Sequence, residues 1–465
     1  MKKNNYKNFI ELLEFSPNLV LYGNSGTGKT YTARKIVEEF EKKYHQELDF
    51  ASIEKQNRAK FISFHKLYSY NDFIERRINI ENEEVIKNGA LLEIAINASL
   101  EIMKSSIKGK IKNSINSQSK VWKVSLGYRK TEERIYKQCK KNKEIVIGWL
   151  EYESLEGKSY NEIYSMLEIK RGKDEPKLSN DVSSISALVN DMKKGDLVLI
   201  YSTPTTIIDI GIVEGDYFHN SGEPYPHKRK VSWFKEFKKP IDISSYDNKT
   251  RLSLKTIYEL DQINFSDLRE IIQDNDKKIS FSKDNIKPYY LLIDDIDQGD
   301  ILSIFGESIS LIDQRDIYRT ILTYSKKTFS LPSNLYIIAT SNQVFKDRFL
   351  QRRFIFNKLI PEPSYLENIF IDKNISLIKL MNKINTNITE ILGEQAQLGH
   401  GYFINLKTIS DLYNFWYYRF IPLLESLSNI EDIKKIIGQT FFEKHHIVYL
   451  TKENFEEAII NFIEL

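Results

Sequence analysis

The sequence predicts an α/β chain: a parallel sheet with its ligand at the strands' carboxyl ends, a β-rich insertion, and a helical C-terminal region. Three observations carry this. Apolar runs of strand length stand at Asn18–Tyr22, Ala59–Phe64, Tyr289–Ile293 and Asn334–Thr340, as expected of strands buried on both faces. The first leads through a glycine-rich stretch into an amphipathic helical pattern over Tyr31–Lys43. The distance from that stretch to Tyr289 is far too long for one ordinary crossover between parallel strands, so something is inserted.

Taken in order, a short helix precedes Asn18, and the glycine-rich stretch then reads Gly23-Asn24-Ser25-Gly26-Thr27-Gly28-Lys29-Thr30. From about Lys120 to Leu268 the texture changes to short strand-like runs broken by turn residues: Val121–Gly127, Ile145–Trp149, Asp196–Tyr201 and Ile207–Val213. That is the pattern of a small barrel or open sheet, and the lysine-rich Lys104–Lys120 reads as the connection into it. Beyond Phe354 helical spacing returns over Asn374–Ile391 and Ile409–Leu427. The expected division is 1–103 and 276–362 for the two parts of the sheet domain, 104–275 for the insertion, and 363–465 for a helical lid.

Bulk composition narrows the function classes. A chain of 465 residues exceeds what one core normally serves. An apolar fraction of 41% with 12% aromatics excludes a mostly disordered chain. Cys139 is the single cysteine, which excludes an intrachain disulfide and a thiolate metal cluster. The histidines are dispersed apart from His445-His446, so a metal held mainly by imidazoles is not expected. No apolar run has the length of a membrane span. Glu11 and Glu14 interrupt the residues after the basic N-terminus, which therefore does not read as a signal peptide. A soluble cytoplasmic protein is the expectation.

Gly23-x-x-x-x-Gly28-Lys29-Thr30 is a complete phosphate-loop motif, set between a strand and a helix as its mechanism requires. Glycines let the backbone wrap phosphates, so that amide N–H groups and a helix N-terminus face negative charge. Lys29 is expected to reach the β- and γ-phosphates, and the Thr30 hydroxyl to ligate Mg²⁺. Asp294-Asp295, ending the next strong strand, supply the acidic half: Asp294 for the Mg²⁺ shell, Asp295 to orient or polarise the attacking water. An Asp-Asp pair alone is a weak signal, but beside a phosphate loop it becomes strong. Asn342 is expected at the γ-phosphate or the lytic water. Arg352 and Arg353 are expected either to reach a neighbouring subunit's nucleotide or to stand as a solvated pair.

Taken together these residues resemble the McrB-type GTPase subunits of modification-dependent (5-methylcytosine-type) restriction systems, within the AAA+ class. Phe64–Glu75, Ile293–Glu307 and Leu331–Asn342 are similar to that family's segments around its second strand, acidic strand and sensor strand. Leu392-Gly393-Glu394, Leu398–Phe403 and Ile421–Leu424 resemble its helical lid. The resemblance implies a hexameric ring that prefers GTP over ATP, and a separately encoded McrC-type nuclease partner. The chain departs from the pattern in having Asp295 where the family has Glu, Asp297-Gln298 and Asp300 where it has Asn-Arg and Asn, and Ser341–Phe345 in place of its sensor motif. Nucleotide binding is expected to survive these changes, and hydrolysis to be slow or partner-dependent.

The insertion resembles EVE-like members of the PUA superfamily, small barrels that read modified bases. Val121–Val124, Ile147–Trp149, Lys194–Leu199, Ile210–Tyr217 and His227–Trp233 carry the similarity. Trp149, Ser202 and Tyr217 are candidates to hold a flipped base of modified double-stranded DNA by stacking and edge contacts, whereas Trp122 and Trp233 read better as core. Residues 104–250 carry roughly +7 net charge, and His227-Lys228-Arg229-Lys230, the densest basic run, is the candidate phosphate contact. The leading expectation is an NTP-driven motor subunit that commands a nuclease. The alternatives are a nucleotide-gated DNA-binding scaffold with little hydrolysis, and a protein-remodelling machine unrelated to DNA.

Overall fold

The computed structural model describes residues 6–44, 47–80, 83–107, 109–126, 133–172, 177–246, 255–273 and 286–464. The expected 275/276 boundary, Gly127 and the N-terminal basic residues lie outside them. The chain divides into two compact units: Met1–Ser69 with Tyr290–Ile304 and Tyr336–Leu465, and Tyr70–Tyr289 with Phe305–Leu335. Residues 70–103 and 305–335, expected with the sheet domain, thus fall in the same unit as the insertion.

In the first unit a five-stranded sheet runs in the order Ile355–Lys358, Asn18–Tyr22, Leu335–Ser341, Tyr289–Asp294, Ala59–Ser63. Asn18–Tyr22 pairs in parallel with both its neighbours, and Tyr289–Asp294 pairs in parallel with Ala59–Ser63. The central strands are buried along almost their whole length, which is why they read as unbroken apolar runs. The register sets Tyr22 beside Ser341 and Asp294 beside Ser63, so the next residues of each strand emerge on one edge of the sheet. Helix Lys29–Lys42 packs Ala33, Ile36, Val37 and Phe40 on this sheet. The helix is also fixed by a fully buried bidentate pair: Arg58 donates at 2.7 and 2.8 Å to Glu41, whose carboxylate also accepts from the Tyr290 hydroxyl. Removing one partner of such a buried pair costs about 3–5 kcal/mol.

C-terminal to the sheet, helices Leu377–Leu392, Ile409–Phe415, Ile421–Leu427, Ile430–Ile437 and Lys452–Glu464 enclose a core around Trp416, Phe420, Phe441 and Phe455. Ile409–Leu427 reads in sequence as one helix. It contains a π turn over Trp416–Phe420 just before Pro422, whose ring removes a backbone donor from the helical ladder.

The second unit holds a six-stranded sheet in the order Ile257–Glu259, Val121–Val124, Leu197–Tyr201, Thr206–His219, His227–Asp242, Glu144–Ile147. Alternation along the strands builds two cores. Trp122, Val124, Val198 and Ile200 face helices Tyr160–Arg171 and Leu178–Ser186. Val121, Leu197, Leu199 and Tyr201 face helices Ala90–Ser105 and Phe265–Gln273. Of the small barrel or open sheet expected, the arrangement is the open sheet and the barrel is corrected: among the described residues the edge strands do not pair with each other. Helices cover both faces, so burial does not depend on closure. The two long strands shift register three times, and such bulges coil a sheet without closing it. Gly211 stands where a Cβ would lie 2.4 Å from Val231 and 2.8 Å from the Trp233 ring, so the indole comes this close to that strand only because the position is glycine. No helix among the described residues is long and apolar enough to cross a membrane.

Candidate functional site

The phosphate loop leaves the sheet at Tyr22. Gly23, Gly26 and Gly28 all have positive φ, which side chains with a Cβ avoid. Gly28 caps helix Lys29–Lys42 from a left-handed conformation with no side-chain cap, leaving the first-turn amides open, as an anion site requires. The Lys29 ammonium donates to Gly23 O at 2.8 Å, Asn24 O at 3.2 Å and Asn342 Oδ1 at 3.1 Å. Burial lowers its pKa, while Asp295, Asp297 and Asp294 act to raise it. Lys29 is thus parked across the mouth of its own loop.

Opposite it, Asp294 Oδ1 accepts from the Thr30 hydroxyl at 2.7 Å and the Thr340 hydroxyl at 2.6 Å. A hydroxyl and a carboxylate meeting at hydrogen-bond distance can both turn onto one small hard cation, which takes oxygen ligands and keeps several waters. Thr340 also accepts from the Asp295 amide at 2.9 Å and so sets the direction of the acidic pair. Asp295 itself is left-handed, with φ 49. Its pKa is raised, first by burial and then by Asp294 and Asp297. The Asn342 backbone N–H donates to both oxygens of Asp297 at 3.3 Å. The structure therefore brings Lys29, Thr30, Asp294, Asp295 and Asn342 together. Thr340 and Asp297 join them, although neither carries a role in the motif. A hydroxyl two residues before Asn342 is the sequence signal that marks Thr340.

The arginines separate. Arg353 turns inward: it is buried, its guanidinium stacks 3.5 Å from the Phe349 ring centroid, and it donates to Phe349 O at 2.8 Å. Arg352 stays exposed. A projecting pair is thereby reduced to one projecting residue, because Phe349 captures the other.

The lid closes directly on the loop. Asn24 donates through its side-chain amide to Glu394 O and Gln397 O, both at 2.9 Å. Gly399 N donates to Ser25 O at 3.0 Å and Gly401 N to Gly26 O at 2.8 Å. The Tyr402 hydroxyl lies 3.0 Å from Ser25 Oγ. Loop and lid are held backbone to backbone, by segments from opposite ends of the chain.

In the second unit the candidate DNA contacts divide. Trp149 is left-handed (φ 71) and half-buried, with the Arg171 guanidinium 5.2 Å from its ring centroid. The His227 ring bridges Tyr217 OH (2.8 Å) and Trp149 O (3.0 Å) and stacks on Tyr217. Burial pushes its pKa down to about 4, so it is neutral near pH 7. Trp149, Tyr217 and His227 thus form one cluster. Ser202 does not belong to it: its hydroxyl lies 2.7 Å from Thr206 Oγ1, at the opposite end of strand Thr206–His219 from Tyr217.

The basic run requires a correction. His227, Lys228 and Arg229 are buried, at 0%, 4% and 5% exposure. Arg229 donates to the Val189 and Gly215 carbonyls at 2.9 and 3.2 Å. Lys228 lies between Glu144 and Glu223. Only Lys230 faces solvent, and it too reaches Glu144, at 3.2 Å. A basic run on an inner strand places alternate side chains on opposite faces, and here each face supplies its own acceptors.

With that geometry in view, residues 376–436 match the family described as McrB, alpha-helical lid domain. The lid is McrB-like. Residues 122–261 match a domain of unknown function, DUF8426. The chain is 32% identical over 139 residues to the Type IV methyl-directed restriction enzyme EcoKMcrB subunit of Escherichia coli (strain K12), a match that takes in 25% of this chain and 30% of that protein. The similarity to McrB therefore spans under a third of the curated relative. A crystal structure of a DNA polymerase III gamma subunit-related protein from Thermotoga maritima aligns with 40% of this chain and 68% of its own, at 7% identity and a TM-score of 0.14, too low to bear on the fold.

Proposed function

We propose that this chain is the nucleotide-hydrolysing motor subunit of an McrBC-like modification-dependent restriction system. On this reading it takes GTP in preference to ATP with Mg²⁺, works in the cytoplasm as a homo-oligomeric ring, a hexamer, recognises modified double-stranded DNA through the unit that holds the insertion, and drives a separate McrC-like nuclease. The observation that carries the reading is the convergence of Lys29, Thr30, Asp294 and Asn342 beneath an McrB-like lid bonded to the phosphate loop. Triphosphate would draw Lys29 from the Gly23 and Asn24 carbonyls onto the β- and γ-phosphates. Thr30 and Asp294 would hold Mg²⁺, which supplies Lewis-acid charge at the phosphates. Asp295 would orient the attacking water. Asn342, its side chain held by Lys29 and its backbone amide by Asp297, would sit at the γ-phosphate, and exposed Arg352 would face a neighbouring subunit.

The left-handed Asp295, one methylene shorter than glutamate, favours slow turnover and keeps the nucleotide-gated scaffold as the second reading. Asp295→Asn is expected to leave nucleotide affinity within about twofold of wild type and to remove residual hydrolysis. Asp295→Glu is expected to raise kcat about tenfold by restoring reach to the water. Steady-state phosphate release with Mg–GTP and Mg–ATP checks both, and a glutamate variant no faster than wild type would leave the scaffold as the better account.

For DNA, Trp149 remains the best candidate to stack on an extruded base. Gel shifts on duplexes with and without 5-methylcytosine are expected to favour the modified duplex, with Trp149→Ala weakening it about 5- to 100-fold. Equal binding of both duplexes would count against base recognition.

A further inference from the structure

We infer that His400 is a phosphate-binding residue carried by the lid, its neutral imidazole donating from Nε2–H to the phosphates seated on Gly28–Thr30. This rests on the nucleotide-binding reading of the loop and adds to it a donor from outside the motif. Four observations converge on it. His400 lies between Gly399 and Gly401, the two residues whose amides bond to Ser25 O and Gly26 O, so its backbone is pinned on both sides against the loop. Its ring packs on Tyr365, centroids 4.4 Å apart, which fixes where the imidazole points. Nδ1 accepts from the Glu362 amide at 3.4 Å, which assigns the ring proton to Nε2. Nε2 then stands 3.5 Å from the point a Cβ on Gly28 would occupy, over the uncapped first turn of helix Lys29–Lys42. Among the described residues Nε2 has no hydrogen-bond partner in the protein. The imidazole is held from behind and from the side, and presents a single donor where phosphate oxygens are expected.

Burial lowers the pKa of His400, consistent with a ring that acts as a neutral donor near pH 7. Because the donor stands on the lid while its target stands on the sheet, an occupied loop adds a hydrogen bond that holds the lid shut. An empty loop leaves only the contacts already formed.

The test uses the full-length chain with fluorescent analogues of GTP and ATP in Mg²⁺, measured by equilibrium titration. His400→Phe keeps a ring to pack on Tyr365 and removes the donor, while His400→Gln keeps a donor. A hydrogen bond to a charged group of this kind corresponds to roughly a 10- to 100-fold change in affinity. We expect that loss in His400→Phe and recovery to within about threefold in His400→Gln, with both variants melting as wild type does in the absence of nucleotide. A phenylalanine variant that binds like wild type overturns the inference. So does a glutamine variant as weak as the phenylalanine one, since the ring would then act only through packing. Lys29→Ala run in parallel separates the two levels: if it also binds like wild type, the loop itself has been misread.

Discussion

Gly399→Ala is expected to part the lid from the phosphate loop and abolish nucleotide turnover. The Cβ it introduces would lie 2.0 Å from Gly26 C, 2.2 Å from Gly26 O and 2.4 Å from Thr27 N. All three are backbone atoms of a loop whose own left-handed turns leave it little room to shift. The backbone of Gly399 is extended rather than left-handed, so the cost is one of space. Overpacking of this kind costs about 1–3 kcal/mol where side chains can yield, and here only main chain can. Relief requires breaking the Gly399–Ser25 and Gly401–Gly26 hydrogen bonds. The expected readouts are a melting temperature lowered by several degrees and hydrolysis below detection. Gly215→Ala is the control, because the nearest atom to its added Cβ lies at an ordinary 3.6 Å. It should melt and turn over as wild type does.

Lys29→Ala is expected to weaken GTP and ATP binding by about 100- to 1,000-fold, the loss of two charge-assisted contacts to phosphate. The structure adds a detail to this expectation. Lys29 also bonds to Gly23 O, Asn24 O and Asn342 Oδ1, so its removal takes away a contact that orients the Asn342 side chain. Lys29→Arg is expected to fare little better, because a planar guanidinium does not fit a site made for a compact ammonium. Nucleotide titration together with phosphate release reads both effects.

How much the sequence disclosed depends on where each signal is stored. The phosphate loop was legible because its chemistry is compressed into eight contiguous residues, and the sheet because strands buried on both faces have no polar alternation to obscure them. The acidic strand and Asn342 were legible as strand ends once the phosphate loop gave them a context. The clasp of Asn24, Ser25 and Gly26 by Glu394–Gly401 was not. Two glycines flanking a histidine in a helical region carry no local sign that they face a loop near the other end of the chain. In the insertion, turn-rich spacing revealed strands but concealed helices Tyr160–Arg171 and Leu178–Ser186, which lie between them. The basic run misled for a related reason. A count of charges does not show that Glu144, Glu223 and the Trp149, Val189 and Gly215 carbonyls already bond to all four of its members, three of them buried. Arg353 behaved likewise, withdrawn by the neighbouring Phe349 ring.

The most direct test of the whole account is calorimetric titration of GTP and ATP into the wild-type chain, with Mg²⁺ and with EDTA. The arrangement of Lys29, Thr30 and Asp294 predicts saturable one-to-one binding of triphosphate that weakens by at least about tenfold when the metal is withheld. No heat of binding for either nucleotide, or the same affinity with and without Mg²⁺, would contradict it.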